Sequence, residues 1–109
     1  MQISFTFKNL NSSEHIKSYI QDRLSRMERL MDDKGIAEVV LKAERQRRTA
    51  DIRVTDHHVD VLASESHTDL QAAIDLALEK TKYQLTRTKS KLQQRRTRAQ
   101  PADPWQDVA

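Results

Sequence analysis

From Asp69 to Arg98 the chain keeps one helical period without a break. Leu70, Ala73, Ile74, Ala77, Leu78, Leu85 and Leu92 fall in a single row at 100° per residue, and Thr81 and Thr88 fill its gaps. Such a helix runs about 45 Å at 1.5 Å per residue, longer than most strands it could pack on. A chain of 109 residues has room for one core. The remaining sequence must therefore supply a layer to receive the row, and the far end of the helix is expected to overhang it.

The same segment collects the charge. Between Lys80 and Arg98 stand eight Lys or Arg residues and no Asp or Glu, whereas residues 1–79 hold eleven basic and fourteen acidic side chains. From Ala99 onward only Asp103 and Asp107 are charged, so the formal net charge of +3 conceals a helix end carrying eight positive charges. Lys80, Arg87, Lys91, Arg95 and Arg98 lie opposite the apolar row, while Lys82, Lys89 and Arg96 run beside it. Two positive stripes thus border one dry face. Basic residues do complement a helix C-terminus, but that effect is confined to roughly the last turn and is worth about 0.3–1 kcal/mol per charge. These residues cover about five turns without acidic partners at i+4. A polyanionic partner explains the pattern better than a solvated face does.

The rest of the chain reads as the receiving layer. Ile3, Phe5 and Phe7 alternate with Gln2, Ser4, Thr6 and Lys8, the period of a half-buried strand. Asn11, Ser12 and Ser13 offer N-caps before Ile16, Ile20, Leu24, Met27 and Met31, spaced by threes and fours as in an amphipathic helix. That helix is expected to end near Lys34, with Gly35, the one glycine of the chain, as a left-handed C-cap. Ile36–Glu44, Thr49–Thr55 and Val59–Ser66 read as three further strands, the last two joined through Asp56, His57 and His58. The fold expected is α+β in the order β-α-β-β-β-α, a four-stranded sheet with both helices on one face. Residues 1–98 form the domain, and 99–109, with Pro101 and Pro104, form a disordered tail in which Trp105 is an exposed remnant.

Chemistry is sparse. Without cysteine, disulfides, thiolate catalysis and thiolate-based zinc sites are excluded. His15, His57, His58 and His67 are scattered over a helix start, a turn and a strand end, so no metal is expected. Ser64, Glu65, His67 and Asp69 contain the letters of a hydrolytic triad, but no strained nucleophile turn or oxyanion hole accompanies them. One glycine cannot build a phosphate loop. No catalytic residue, cofactor or membrane segment is expected, and the default compartment is the cytosol. Arg45, Arg47 and Arg48 stand at the tip of a hairpin, where they either reach a phosphate backbone or stay hydrated. Arg23, Arg26 and Arg29 on the first helix sit beside Asp22 and Glu28. They matter only if the two helices lie side by side and merge their charges into one patch. Tyr19 and Tyr83 are expected to pack at the edge of that patch.

The arrangement resembles the short form of the bacterial hibernation-promoting factor and ribosome-associated inhibitor family, the ribosomal subunit interface proteins, over about residues 1–95. The stretches that carry the resemblance are Asp69-Leu70-Gln71-Ala72-Ala73-Ile74-Asp75, then Lys80, Gln84-Leu85-Thr86-Arg87, Lys89 and Lys91-Leu92. Ala63-Ser64 and, on the first helix, Asp22-Arg23-Leu24 with Met27-Glu28 also fit. Gln71 stands where the family commonly has an aromatic residue, and Tyr83 where it commonly has an arginine.

The resemblance implies a domain similar in layout to double-stranded RNA-binding domains, seated in the RNA channel of the small ribosomal subunit. There it would block messenger and transfer RNA and silence translation in stationary phase or stress. The RNA-binding residues implied are Lys80, Lys82, Arg87, Lys89, Lys91, Arg95, Arg23, Arg26 and Arg29. Partners would be the ribosome and its RNA, with a separate modulation factor assisting ribosome dimers, which the brief tail favours. The protein would be a monomer off the ribosome, because positive flanks repel a second copy of the long helix. Two readings compete: a general duplex RNA binder, and an interaction module whose helix pairs with an acidic protein such as a sigma factor.

Overall fold

The computed structural model describes residues 1–31 and 35–97, with side chains of the last helix as far as Lys89. Strand β1 (Gln2–Lys8) is followed by helix α1 (Glu14–Arg26) and a short 3-10 turn (Glu28–Leu30). Strands β2 (Ile36–Glu44), β3 (Arg47–Thr55) and β4 (Asp60–His67) come next, and helix α2 (Leu70–Thr97) closes the fold. The sheet order is β1-β2-β3-β4, with β1 and β2 parallel and the other two pairs antiparallel. The α+β class, the element order and the single helical layer agree with the sequence reading.

Register explains why one face is dry. Phe5, Val39, Ile52 and Ala63 form one cross-strand row, and Ile3, Ala37, Val54 and Val61 form the next. Of these, Ala37, Val39, Ile52, Val54 and Ala63 are fully or almost fully buried beneath Ile20 and Leu24 of α1 and Ala73, Ile74, Ala77, Leu78 and Leu85 of α2. Ile3, Phe5 and Phe7 are only half-buried because β1 is an edge strand. Side chains one residue out of phase point the other way. There Arg53 makes two hydrogen bonds to Asp60 at 3.1 Å and Lys42 pairs with Glu44 at 2.6 Å. Ile36 and Leu62, 49% and 55% exposed, keep that face from being wholly polar.

Local signals behave as their chemistry demands at most boundaries. Ser13 caps α1, its Oγ accepting from the Ile16 amide at 3.3 Å. Asn9 closes β1 at φ 58°, a left-handed conformation that asparagine tolerates. The β3–β4 turn needs no glycine because Asp56 Oδ1 accepts from the amides of both His58 and Val59 at 2.7 Å.

The end of α1 differs from expectation. The helix stops at Arg26, and the chain tightens through the 3-10 turn, with the Leu30 and Met31 amides donating to Met27 and Glu28 carbonyls at 2.9 and 3.0 Å. The step of three from Met27 to Leu30 suits a 3-10 turn as well as an α-helix, so apolar spacing alone does not set where α1 ends. Gly35 is not a left-handed cap, since no glycine has positive φ. A Cβ there would lie 2.9 Å from the Thr55 carbonyl oxygen and closer still to the Met31 side chain. Close approach of backbone, with the Gly35 carbonyl accepting from Gln2 N at 3.1 Å, is what the position requires. The hairpin arginines also shift: only Arg45 lies in the turn, while Arg47 and Arg48 belong to β3. The tail 99–109, with Trp105, lies outside the described residues.

Candidate nucleic-acid interface

Helix α2 lies over β3 and β4 and meets α1 along one side. Its packing is anchored by Leu78, Thr81 and Leu85, all fully buried. Thr81 is tolerated in that row because its hydroxyl donates to the Ala77 carbonyl at 2.8 Å. The fixed row determines where the described cations of the helix go: Lys82 emerges toward α1, and Lys80 and Arg87 emerge toward β4.

On the α1 flank, Arg23, Arg26 and Arg29 from α1 and the 3-10 turn face Lys82 of α2 across one groove, floored by Met27, Leu30 and Leu78. Arg26 shares its charge with Asp22 at 2.9 Å. Among the described residues no acidic group comes within ion-pair distance of Arg23, Arg29 or Lys82. Glu79 is the one acid in the groove lining among these residues. Lys89 ties α2 to the 3-10 turn by donating from Nζ to the Arg29 carbonyl at 3.0 Å. Of the nine candidate residues, Arg23, Arg26, Arg29, Lys82 and Lys89 thus gather on this flank, Lys80 and Arg87 lie on the other, and Lys91 and Arg95 fall outside the described side chains.

A polar bridge holds the two walls in register. The Tyr19 hydroxyl donates to Asp75 Oδ1 at 2.5 Å, Gln71 Nε2 donates to the same oxygen at 3.1 Å, and Arg23 Nη1 donates to the Tyr19 oxygen at 3.1 Å. The hydrogen bond to the Asp75 carboxylate, with partial burial, pushes the Tyr19 phenol above its ordinary value, and Arg23 opposes the shift. Tyr19 therefore packs at the edge of the patch, as expected, and aims Arg23 as well. Sequence reasoning missed the bridge, although Tyr19–Arg23 and Gln71–Asp75 both stand at i,i+4.

On the β4 flank, Lys80 lies 3.8 Å from Glu65, and Arg87 leans over Tyr83 with its guanidinium 5.9 Å from the ring centroid. Asp60 and Leu62 line the same side. Tyr83 departs from expectation: it is 61% exposed and does not pack on the core, because position 83 falls on the outer crest between the flanks. At the hairpin, Arg47 donates to Ser66 Oγ at 3.1 Å, so it serves β3–β4 pairing. His67 Nδ1 accepts from the Asp69 amide at 3.0 Å as α2 begins. Among the described residues no three His, Cys, Asp or Glu side chains come together as a metal site, and no helix is long and apolar enough to cross a membrane.

Comparison with known proteins fits this geometry. A family model described as sigma 54 modulation protein / S30EA ribosomal protein matches residues 3–93. A ribosome hibernation promoting factor of Azotobacter vinelandii is 28% identical over 103 residues, covering 94% of this chain and 96% of that protein. The protein of the same name from Escherichia coli K12 is 31% identical over 94 residues, covering 86% and 99%. Among solved structures, the N-terminal domain of Thermus thermophilus Protein Y superposes with a TM-score of 0.73 at 32% identity, covering 80% of this chain and 98% of that one. A ribosomal subunit interface protein from Coxiella burnetii reaches a TM-score of 0.75 over 83% of this chain and 99% of that one, which at 19% identity supports the fold alone.

Proposed function

The chain belongs to the sigma 54 modulation protein / S30EA ribosomal protein family, and on that footing we propose that it is a cytoplasmic ribosome hibernation factor seated in the small-subunit RNA channel. The observation that carries the reading is the groove in which Arg23, Arg26 and Arg29 face Lys82. Residues more than fifty positions apart in sequence converge there as one concave positive surface. Such a surface neutralises phosphates from two directions, and the released counterions drive association. The rigid spacing of its walls selects RNA by shape without reading bases. Lys80 and Arg87 extend the contact on the outer side of α2, and Lys91 and Arg95, further along the sequence, add to the set of RNA-binding cations. Occupancy of the channel excludes messenger and transfer RNA and silences translation under stress or in stationary phase. A separate modulation factor joins the silenced ribosomes into dimers. No step of this function is enzymatic.

Sucrose-gradient sedimentation with vacant ribosomes and separated subunits, at several salt concentrations and with a free RNA duplex as competitor, tests the reading. The expected result is saturable, salt-weakened co-sedimentation with the small subunit and whole ribosome that excess duplex does not displace. Equal preference for duplex would reduce the protein to a general RNA binder. Absence of binding to either would favour a protein partner, the sense of the sigma 54 name.

A further inference from the structure

Tyr83 is unusual for an exposed position on a strongly basic helix. The residue is 61% exposed, and it lines both the groove toward α1 and the surface toward β4, so it forms the crest between two cationic flanks. Lys82 stands beside it, and the Arg87 guanidinium sits 5.9 Å from the ring centroid, within the range of a cation–π contact. Arg87 can occupy only one of the two ring faces. Glu79, one turn earlier, would repel a phosphate placed against this part of the groove. A carboxylate accepts readily, however, from the exocyclic amino group of a base.

An aromatic face flanked by cations, with an acceptor near by, matches an unpaired nucleotide better than it matches a continuous duplex backbone. We propose that Tyr83 is a stacking platform for one unpaired base of an RNA strand whose flanking phosphates are held by Lys82 and Arg87. The inference rests on the RNA-binding reading above and deepens it: shape and charge place the strand, and Tyr83 takes a base that has left its helix. Base–aromatic stacking of this kind tolerates any base, because every base has a π-face.

The experiment uses the full chain and two readouts. In the first, Tyr83→Ala and Tyr83→Phe are compared with wild type for affinity to vacant ribosomes. Stacking predicts about 5- to 100-fold weaker binding for Tyr83→Ala and near wild-type binding for Tyr83→Phe, with unchanged circular dichroism for both. Unchanged affinity of Tyr83→Ala would overturn the proposal while leaving ribosome binding intact. Equal loss in both variants would assign the contact to the hydroxyl and also overturn it. The second readout stands even if ribosomes are not bound. In a Tyr83→Trp, Trp105→Phe protein, indole emission should be quenched by a hairpin RNA with an unpaired loop, and not by a closed duplex of equal charge. Adenosine monophosphate at the same base concentration should leave emission unchanged. Equal quenching by duplex and hairpin, or quenching by the mononucleotide without preference for the loop, would overturn the proposal.

Discussion

The two flanks of α2 carry similar cations and meet different neighbours. Toward α1, Arg23, Arg29 and Lys82 face one another with no acid in ion-pair range among the described residues. Toward β4, Lys80 is drawn to Glu65 and Arg87 to the ring of Tyr83, while Asp60 is already bound by Arg53. Charge written on a helix is thus not the charge it offers; the element packed alongside decides how much remains for a partner. Electrostatic interaction with an RNA is strongest where like charges are held together by the fold, because a polyanion relieves their mutual repulsion as well as binding each of them.

The largest effect should follow from reversing charge on the open flank. Arg29→Glu with Lys82→Glu is expected to weaken ribosome binding by roughly 100-fold or more at moderate salt and to flatten the dependence of affinity on salt, since about one unit of slope is lost per phosphate contact removed. Lys80→Glu with Arg87→Glu should cost roughly tenfold, because part of that charge is already engaged. Circular dichroism should be unchanged in both, as neither pair touches the buried row. Equal losses in the two double variants would erase the distinction between the flanks.

The next effect concerns how the open flank is built. Tyr19→Phe removes the donor to Asp75 and the acceptor of Arg23, and should cost about 1 kcal/mol of stability with a several-fold loss of ribosome affinity as Arg23 loses its aim. The same hydrogen bond predicts a pH signature. Because the folded pKa of Tyr19 lies above its unfolded value near 10.0, the stabilisation is complete below about pH 10 and is lost as pH rises through the folded value. Denaturation curves should show wild type losing its advantage over Tyr19→Phe only in that alkaline window. A constant difference across pH 7–11 would mean that the bridge does not form. Lys89→Met should act less strongly, lowering affinity about threefold by releasing the Arg29 carbonyl and removing one charge beside the 3-10 turn.

What was legible in the sequence follows from the same distinction between local and tertiary causes. The row Leu70 to Leu85, the alternation in β1 and β3, and the Ser13 cap are local patterns, and each appears where it was read. The merging of Arg23, Arg26 and Arg29 with Lys82 followed from placing two helices on one sheet face. Gly35 was misread because a single glycine after a periodic run fits a C-cap and a close backbone approach equally well; the Thr55 carbonyl that decides the matter is twenty residues away. Tyr83 stands clear of the core because position 83 lies across the helix from the buried row, and an aromatic residue beside a basic patch does not by itself distinguish a packed edge from an exposed crest. The pairing of Lys80 with Glu65 depends on which strand lies beneath α2, and i,i+4 counting within the helix cannot reveal it.

That pairing offers the finest test of the comparison. Glu65→Gln leaves the β4 backbone ladder intact, and both partners are partly solvent-exposed, so stability should change by no more than about 0.5 kcal/mol. Ribosome affinity should rise about two- to fivefold, because Lys80 no longer shares its charge and one negative group leaves the RNA-facing side. The gain should shrink at high salt, where screening weakens the Glu65–Lys80 attraction and the RNA contact alike. Adding Lys80→Met to Glu65→Gln should remove most of it. A gain that persisted without Lys80 would mean that Glu65 acts on the RNA directly, and the quieter flank would then be set by repulsion from β4 instead of by neutralisation of α2.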